Sequence, residues 1–221
     1  MTATLTLHVD YISQPARALL LLCRAINAPH QEKYMELLQG DHLKKPFTDL
    51  NPFRKVPVVQ DGDVLILESC TGLRYIASKY DSSGKWYPKE LKARCKVDEY
   101  LDWQHLNTRA HGVGYFYNKI IVPILKKSEP DMNVVNEHEL KLGQVETQFA
   151  SYFLGSKPFI TGQNITIADL LAACEFEQPS AGGYQLSQPI LEYLSRVKEA
   201  VGPDYDELHT ASRQLAQKRL A

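Results

Sequence analysis

Cysteine is scarce in this chain and unpatterned. Cys23, Cys70, Cys95 and Cys174, four thiols in 221 residues, form no C-x-x-C pair and no zinc spacing. That argues against a disulfide framework or a zinc-organised fold and fits reduced thiols in a cytosol. An excess of charge of one sign is also missing. The formal net charge is −1, from 25 Lys and Arg against 26 Asp and Glu, so long-range attraction to nucleic acid or to an anionic membrane is not expected. No apolar run approaches membrane-spanning length, and Met1-Thr2-Ala3-Thr4 lacks a basic n-region. Neither a membrane span nor a secretory leader is expected. No metal site is expected either, since His105 and His111 are six apart and face different ways on a helix. What remains is ordinary globular composition, 44% apolar and 23% charged, in a chain long enough for one large domain or two small ones.

The stretch Asp10-Tyr11-Ile12-Ser13-Gln14-Pro15-Ala16-Arg17 links two patterns. Leu5, Leu7 and Val9 alternate before it, and Leu19, Leu22, Cys23 and Ile26 follow at helical spacing. The spacing predicts a strand turning directly into a helix, with Pro15 in the first turn where its missing N–H costs nothing. Gln31 to Leu37 is strand-like by position, and Gly40-Asp41-His42-Leu43 leads into a short helical or irregular segment ending at Asn51-Pro52. Val56 to Val59 and Val64 to Leu67 flank Asp61-Gly62-Asp63 as a β-hairpin. Cys70, Leu73, Ile76, Ala77 and Tyr80 then predict a helix. The order βαβαββα describes a small mixed α/β domain. Asp81-Ser82-Ser83-Gly84 is a polar turn cluster and a plausible boundary.

From Leu91 onward the periodicity is helical. It runs through Val97, Tyr100, Leu101 and Trp103, then Leu142, Val145, Phe149 and Phe153, then Leu191, Leu194, Val197 and Val201. Thr166-Ile167-Ala168-Asp169 predicts a capping box, with Ile165 and Leu170 at the staple positions.

Several residues have a structural and a chemical reading. Ser13 is either a plain helix N-cap or a hydroxyl that stabilises an anion beside the positive end of a helix. Val56-Pro57 is either an edge-strand proline or a cis peptide that turns the backbone of Val56 towards an extended ligand. Glu68-Ser69, at the start of the next helix, either cap it or receive an ammonium and a carboxylate. His42 and Lys55 are cations on connecting segments. Together these features describe a receptor for a small extended molecule, zwitterionic at one end and anionic at the other.

These motifs resemble the cytosolic glutathione transferases, theta class. The resemblance rests on Ser13-Gln14-Pro15-x-Arg17, Gly40 to Leu43 with Asn51-Pro52, Lys55-Val56-Pro57 and Glu68-Ser69. It continues through Trp86-Tyr87-Pro88, Val97 to Leu101, Trp103-Gln104-His105, Thr166 to Asp169 and Val201-Gly202. It implies a thioredoxin-like glutathione-binding domain over 1–82, a linker over 83–90 and an all-α domain over 91–221 that holds the electrophile. It further implies glutathione as co-substrate, with no other cofactor and no metal, small hydrophobic electrophiles as second substrates, and a cytoplasmic homodimer.

Carried over by position, the resemblance makes Ser13 the catalytic hydrogen-bond donor to the glutathione sulfur. Glutathione would lie along Val56, preceding a cis Pro57. Its γ-glutamyl end would meet Glu68 and Ser69 with support from Gln14, and its glycine carboxylate would lie near His42 and Lys55. Arg109 matches an arginine that contacts anionic groups in some members, on a helix face shared with Asp102 and Leu106. Tyr115, Phe116 and Tyr117 are candidates for the electrophile wall. Tyr11 is the alternative catalytic residue, because tyrosine-type members carry a Tyr six positions before an Arg, as Tyr11 stands before Arg17. A cysteine at position 13 would suit thiol-disulfide exchange instead, and none is there. A non-catalytic relative that keeps the fold as a binding module is the other alternative. Vertebrate theta proteins continue past Lys218-Arg219-Leu220-Ala221, so a more open electrophile site is expected here.

Overall fold

The computed structural model describes residues 5–221; the stretch Met1 to Thr4, read above for a leader, lies outside the described residues. The first half forms β1 (Leu5–Val9), α1 (Gln14–Ala25), β2 (His30–Tyr34), α2 (Phe47–Leu50), β3 (Val58–Asp61), β4 (Val64–Ile66) and α3 (Ser69–Tyr80). The four strands lie in the order β2-β1-β3-β4. β1 and β2 are parallel, whereas β1–β3 and β3–β4 are antiparallel. This is the predicted βαβαββα order, with smaller elements than expected. β2 stops at Tyr34, and α2 is a single turn preceded by two 3-10 turns.

Register explains where the functional end lies. Val9 at the end of β1 pairs with Tyr34 at the end of β2. His8 pairs with Val58, the first residue of β3, and Val59 pairs with Ile66, the last of β4. So β1, β2 and β4 leave the sheet at the same end where β3 enters. The turn at Ser13, the segment carrying His42, the Val56-Pro57 step and the start of α3 are all delivered to that end by topology alone. Pro57 precedes β3 instead of interrupting it, and the Val56–Pro57 peptide is cis. A second cis peptide, Lys45–Pro46, had no reading in the sequence.

α1 is more buried than an amphipathic pattern requires. Leu19, Leu20, Leu21, Leu22 and Cys23 are all fully buried, as expected for a helix enclosed on every side. One side faces α3 and the sheet, and the other meets the second half of the chain.

That second half is helical. It comprises α4 (Leu91–Trp103), α5 (Thr108–Phe116), α6 (Val122–Lys126), α7 (Met132–Gln148), α8 (Ile167–Ala181), α9 (Gln188–Val201) and α10 (Asp204–Leu220). One correction follows. The helix expected to carry Asp102, Leu106 and Arg109 on one face breaks at Asn107, whose φ of −123° and ψ of −98° are not helical. Asp102 therefore turns to Arg74, 3.1 Å away, and Leu106 is exposed. The connection after α3 is tied down by hydrogen bonds. Asp81 accepts hydrogen bonds from the Ser83 and Trp86 N–H groups, and buried Trp86 has its carbonyl engaged by the Ile167 N–H.

α8 is the central post. Its capping box forms as the sequence predicts, with Thr166 as N-cap and Asp169 reaching back. Asp169 is fully buried and accepts four hydrogen bonds: from the N–H groups of Thr166 and Ile160, both at 2.9 Å, and from the hydroxyls of Thr166 and Tyr193, both at 3.0 Å. Phe149 packs edge-on against Phe176 of α8 and Tyr193 of α9, with ring centroids 5.0 and 5.1 Å apart, and ties α7 to both.

Candidate active site

The turn from β1 to α1 is fixed from both sides. The Asp10 carboxylate accepts from the Ile12 N–H at 2.8 Å and from the Leu37 N–H at 2.9 Å, so one side chain holds two loops together. Arg17 is fully buried and donates to the carbonyls of Tyr11 at 2.7 Å and Ile12 at 3.0 Å. Its other arm reaches α8, at the Gln178 amide oxygen (2.6 Å) and the Cys174 carbonyl (3.3 Å). A planar guanidinium can bridge in this way because its donors form a rigid fork. In the sequence Arg17 enters only as the end of the Ser13-Gln14-Pro15-x-Arg17 motif and through its spacing from Tyr11.

Ser13 occupies the N-cap position of α1, but its hydroxyl makes no capping hydrogen bond. The plain-cap reading therefore does not describe it. The hydroxyl is free to donate elsewhere, beside a helix N-terminus whose dipole favours negative charge. Ser13 lies in a cleft of about 260 Å³ between the two halves of the molecule. Ile12, Gln14, Leu37, Leu38 and His42 line one side; Val113, Phe116, Tyr117, Ile121, Leu125 and Gln178 line the other. Ser13, Gln14 and His42 place polar groups at one side among Ile12, Leu37 and Leu38, and the far wall is mostly apolar, which suits an anionic sulfur facing a hydrophobic co-reactant.

Tyr11 is directed elsewhere. Its hydroxyl donates to Glu32 on β2 at 2.6 Å, and its ring lies against Tyr34. The hydrogen bond to Glu32, aided by burial, pushes the phenol up to about 12. Its proton is thus held more tightly than in free tyrosine, and Tyr11 is not among the residues lining the cleft. Tyr11→Phe is expected to keep conjugation activity within about twofold, because it removes a neutral-to-carboxylate bond outside the cleft. Steady-state rates with a chromogenic aryl halide check this, and a loss of more than tenfold would reinstate Tyr11 as a catalytic group.

The other candidates fall into two groups. Gln14 and His42 join Ser13 in the cleft. His42 differs from its expected form. Burial lowers its pKa below 6.5, so at neutral pH it offers a neutral imidazole instead of a cation, and its Nδ1 is buried without a hydrogen-bond partner. Ser69 and Arg109 form the second group. Ser69 is buried at the first position of α3, with Glu68 rather than Ser69 as N-cap and no capping side-chain bond. Its hydroxyl accepts from Arg109 at 3.2 Å.

Arg109 in turn pairs with Glu175 of α8 at 3.0 Å, and that carboxylate also accepts from Thr108 at 2.6 Å. Burial raises the pKa of Glu175, and Arg109 opposes the rise. The sequence reading missed Glu175. Its signal was there: a lone carboxylate inside the apolar run Leu170 to Phe176. Lys55, Val56 and Glu68 sit at the same end of the sheet but are not among the residues lining the cleft. Lys55 and Glu68 are exposed, and the Asn51 amide holds the Lys55 carbonyl at 2.7 Å. Of the three aromatics proposed for the wall, Phe116 and Tyr117 line the cleft, whereas Tyr115 is core, edge-on to Tyr184.

A mixed four-stranded domain joined to a helical one, with a hydroxyl at the β1–α1 turn facing the gap between them, defines a two-domain glutathione-transferase architecture. Comparison with known proteins agrees. Residues 5–78 match the family described as glutathione S-transferase, N-terminal domain. Human glutathione S-transferase theta-1 is 33% identical over 93% of this chain and 87% of its own length. The rat theta-2 enzyme is 36% identical over 98% of this chain and 91% of its own. Among solved structures, human glutathione-S-transferase T1-1 in its apo form superposes with a TM-score of 0.92 at 32% identity, covering 96% of this chain and 91% of that one. Human theta-2 in complex with glutathione and an unknown ligand also gives 0.92 at 30% identity, covering 98% and 90%. The chain belongs to the glutathione S-transferases, theta class.

Proposed function

We propose that the protein transfers the thiolate of glutathione to a small hydrophobic electrophile, with Ser13 as the residue that holds the sulfur. The carrying observation is a Ser13 hydroxyl that caps nothing and lies in a largely apolar cleft, with Gln14 and His42 beside it and Phe116, Tyr117, Ile121 and Leu125 on the far wall. Glutathione loses its thiol proton to solvent as it binds. Its sulfur then attacks an electrophilic carbon, and the leaving group departs with the bonding pair. Ser13 donates to the sulfur throughout and is never itself the nucleophile.

The tripeptide is proposed to run along Val56, with its γ-glutamyl end at Glu68 and Ser69 and its glycine carboxylate near His42 and Lys55. Gln14 supports it from the start of α1. Arg109 acts at the γ-glutamyl end by orienting the Ser69 hydroxyl, and Glu175 keeps the guanidinium in place. The electrophile lies against Phe116, Tyr117, Ile121 and Leu125. Alkyl and aralkyl halides and epoxides fit that wall, and hydroperoxides are a third class to test.

A panel of these electrophiles with and without glutathione tests the reading, together with retention on immobilised glutathione. Retention with conjugation of at least one class is expected; retention without turnover would make the protein a binding relative. A cytoplasmic homodimer is also proposed. Phe53 in the first half and Leu106 in the second, 65% and 80% exposed, are apolar side chains available to a partner copy. Light scattering at micromolar concentration should give twice the chain mass.

A further inference from the structure

His111 stands six positions from His105 in the sequence, and that pairing makes no metal site. The fold gives His111 a different partner. α5 packs along α7, and His138 of α7 brings its Nδ1 to 3.5 Å from the Nδ1 of His111. The ring centroids are 5.7 Å apart. The two histidines are 27 positions apart in the chain and on different helices, so no local pattern reveals the pair. A glycine makes the approach feasible. A Cβ at Gly114, about one turn along α5 from His111, would overlap the His138 ring, and only a residue without one lets the ring lie against the helix there.

The separation of the two nitrogens fits a particular ion. Tetrahedral zinc binds imidazole nitrogen at about 2.0–2.1 Å, which puts two ligand nitrogens about 3.4 Å apart. A right-angled pair at the same bond length, as in square-planar copper(II), would need about 2.9 Å. Burial lowers the pKa of both rings below 6.5, so each is neutral at pH 7 and needs only to carry its one proton on Nε2 to leave Nδ1 open to a metal. Glu137, next to His138, is held by Lys141 at 2.6 Å and is not a ligand. Among the described residues no group of three or more His, Cys, Asp and Glu side chains gathers to hold a metal. The site is therefore a two-histidine one, with water in its other positions.

We propose that His111 and His138 bind a zinc ion through their Nδ1 atoms, with two waters completing the tetrahedron, and that the ion braces α5 against α7. The brace stands beside the electrophile wall, because Val113, two residues after His111, lines the Ser13 cleft together with Phe116 and Tyr117. Neither histidine lines that cleft, so the site is independent of the conjugation reading.

Calorimetric titration of the full-length protein with zinc tests the proposal. Every sample carries Cys95→Ser, since the exposed Cys95 thiol would compete for the ion. The expected result is one zinc per chain, bound at least tenfold more weakly after His111→Gln or His138→Gln. Both histidines are partly exposed, and thermal unfolding in EDTA verifies that the variants remain folded. Without either substitution, zinc should displace the NMR resonances of two of the seven imidazoles. Cobalt(II) should give the intense visible bands of tetrahedral coordination and lose them in either variant. Absence of saturable zinc binding, binding indifferent to both substitutions, displacement of other imidazoles only, or the weak spectrum of six-coordinate cobalt would overturn the proposal. Glutathione and turnover enter none of these readouts, so failure here is distinguishable from failure of the conjugation reading.

Discussion

Ser13→Ala should lower kcat/KM for conjugation at pH 7 by roughly 5- to 30-fold and move the pH–rate profile to the alkaline side. A free thiol titrates at about 8.5. A hydrogen bond donated to a charged acceptor contributes about 1.5–3 kcal/mol, and each pKa unit corresponds to about 1.36 kcal/mol. One hydroxyl aimed at the sulfur therefore accounts for a depression of about one to two units. The Ser13 hydroxyl is free for that work because it caps nothing. The helix N-terminus beside it adds about 0.3–1 kcal/mol, which the alanine variant retains.

The sign follows directly. Donors that favour the thiolate lower the pKa, so removing one raises it, and less of the bound glutathione is ionised at pH 7. As pH rises past the new pKa the thiolate fraction recovers, and so should much of the rate. Ultraviolet titration of the bound thiolate measures the shift independently of turnover. If Ser13→Ala leaves both the titration and the rate unchanged while Tyr11→Phe abolishes activity, the assignment is wrong.

The second large effect concerns stability, at Asp169. Asp169→Ala should destabilise the protein by roughly 3 kcal/mol, since it leaves the Thr166 and Ile160 N–H groups buried without acceptors, each at about 1–3 kcal/mol. Asp169→Asn keeps one oxygen and should cost less. The pH dependence is the sharper test. Burial raises Asp169 to about 6 from an ordinary 3.8. Below about pH 4 the group is protonated in both folded and unfolded chains. Between about 4 and 6 the folded chain keeps a proton that the unfolded chain has released, so rising pH costs about 1.4 kcal/mol per unit. Above about 6 the loss levels off near 3 kcal/mol. The asparagine variant has no such slope. The stability gap between wild type and Asp169→Asn, measured by urea unfolding, should therefore narrow as pH rises from 4 to 6. A gap that widens would mean that the ionised carboxylate is the stabilising form.

Local patterns were legible where a single element decides the outcome. The strand-to-helix turn at Ser13, the hairpin around Gly62, the α3 helix and the capping box at Thr166 each depend on residues a few positions apart. The errors came where distant chain segments compete. The break at Asn107 interrupts a helical periodicity that otherwise runs on, so the face shared by Asp102, Leu106 and Arg109 does not exist. α1 looked amphipathic, but its second face is covered by α8 and α10, which lie more than a hundred residues away. Tyr11 and Ser13 both had catalytic spacing in the sequence. Only tertiary structure sends one hydroxyl to Glu32 and leaves the other facing the cleft.

The sequence by itself determined the order of elements, the two-part organisation and the family, because periodicity, caps and turn residues are local and the combined motifs are specific. Tertiary structure decided which polar groups meet. Glu175 is joined to Arg109 and, through it, to Ser69 across the two halves, Arg17 is spread over four carbonyl-type oxygens, and the Nε2 of His8 is left without a hydrogen-bond partner on the far face of the sheet. These are consequences of register and packing. Burial makes each such encounter matter, since a polar group removed from water must find its partner within reach or remain unpaired.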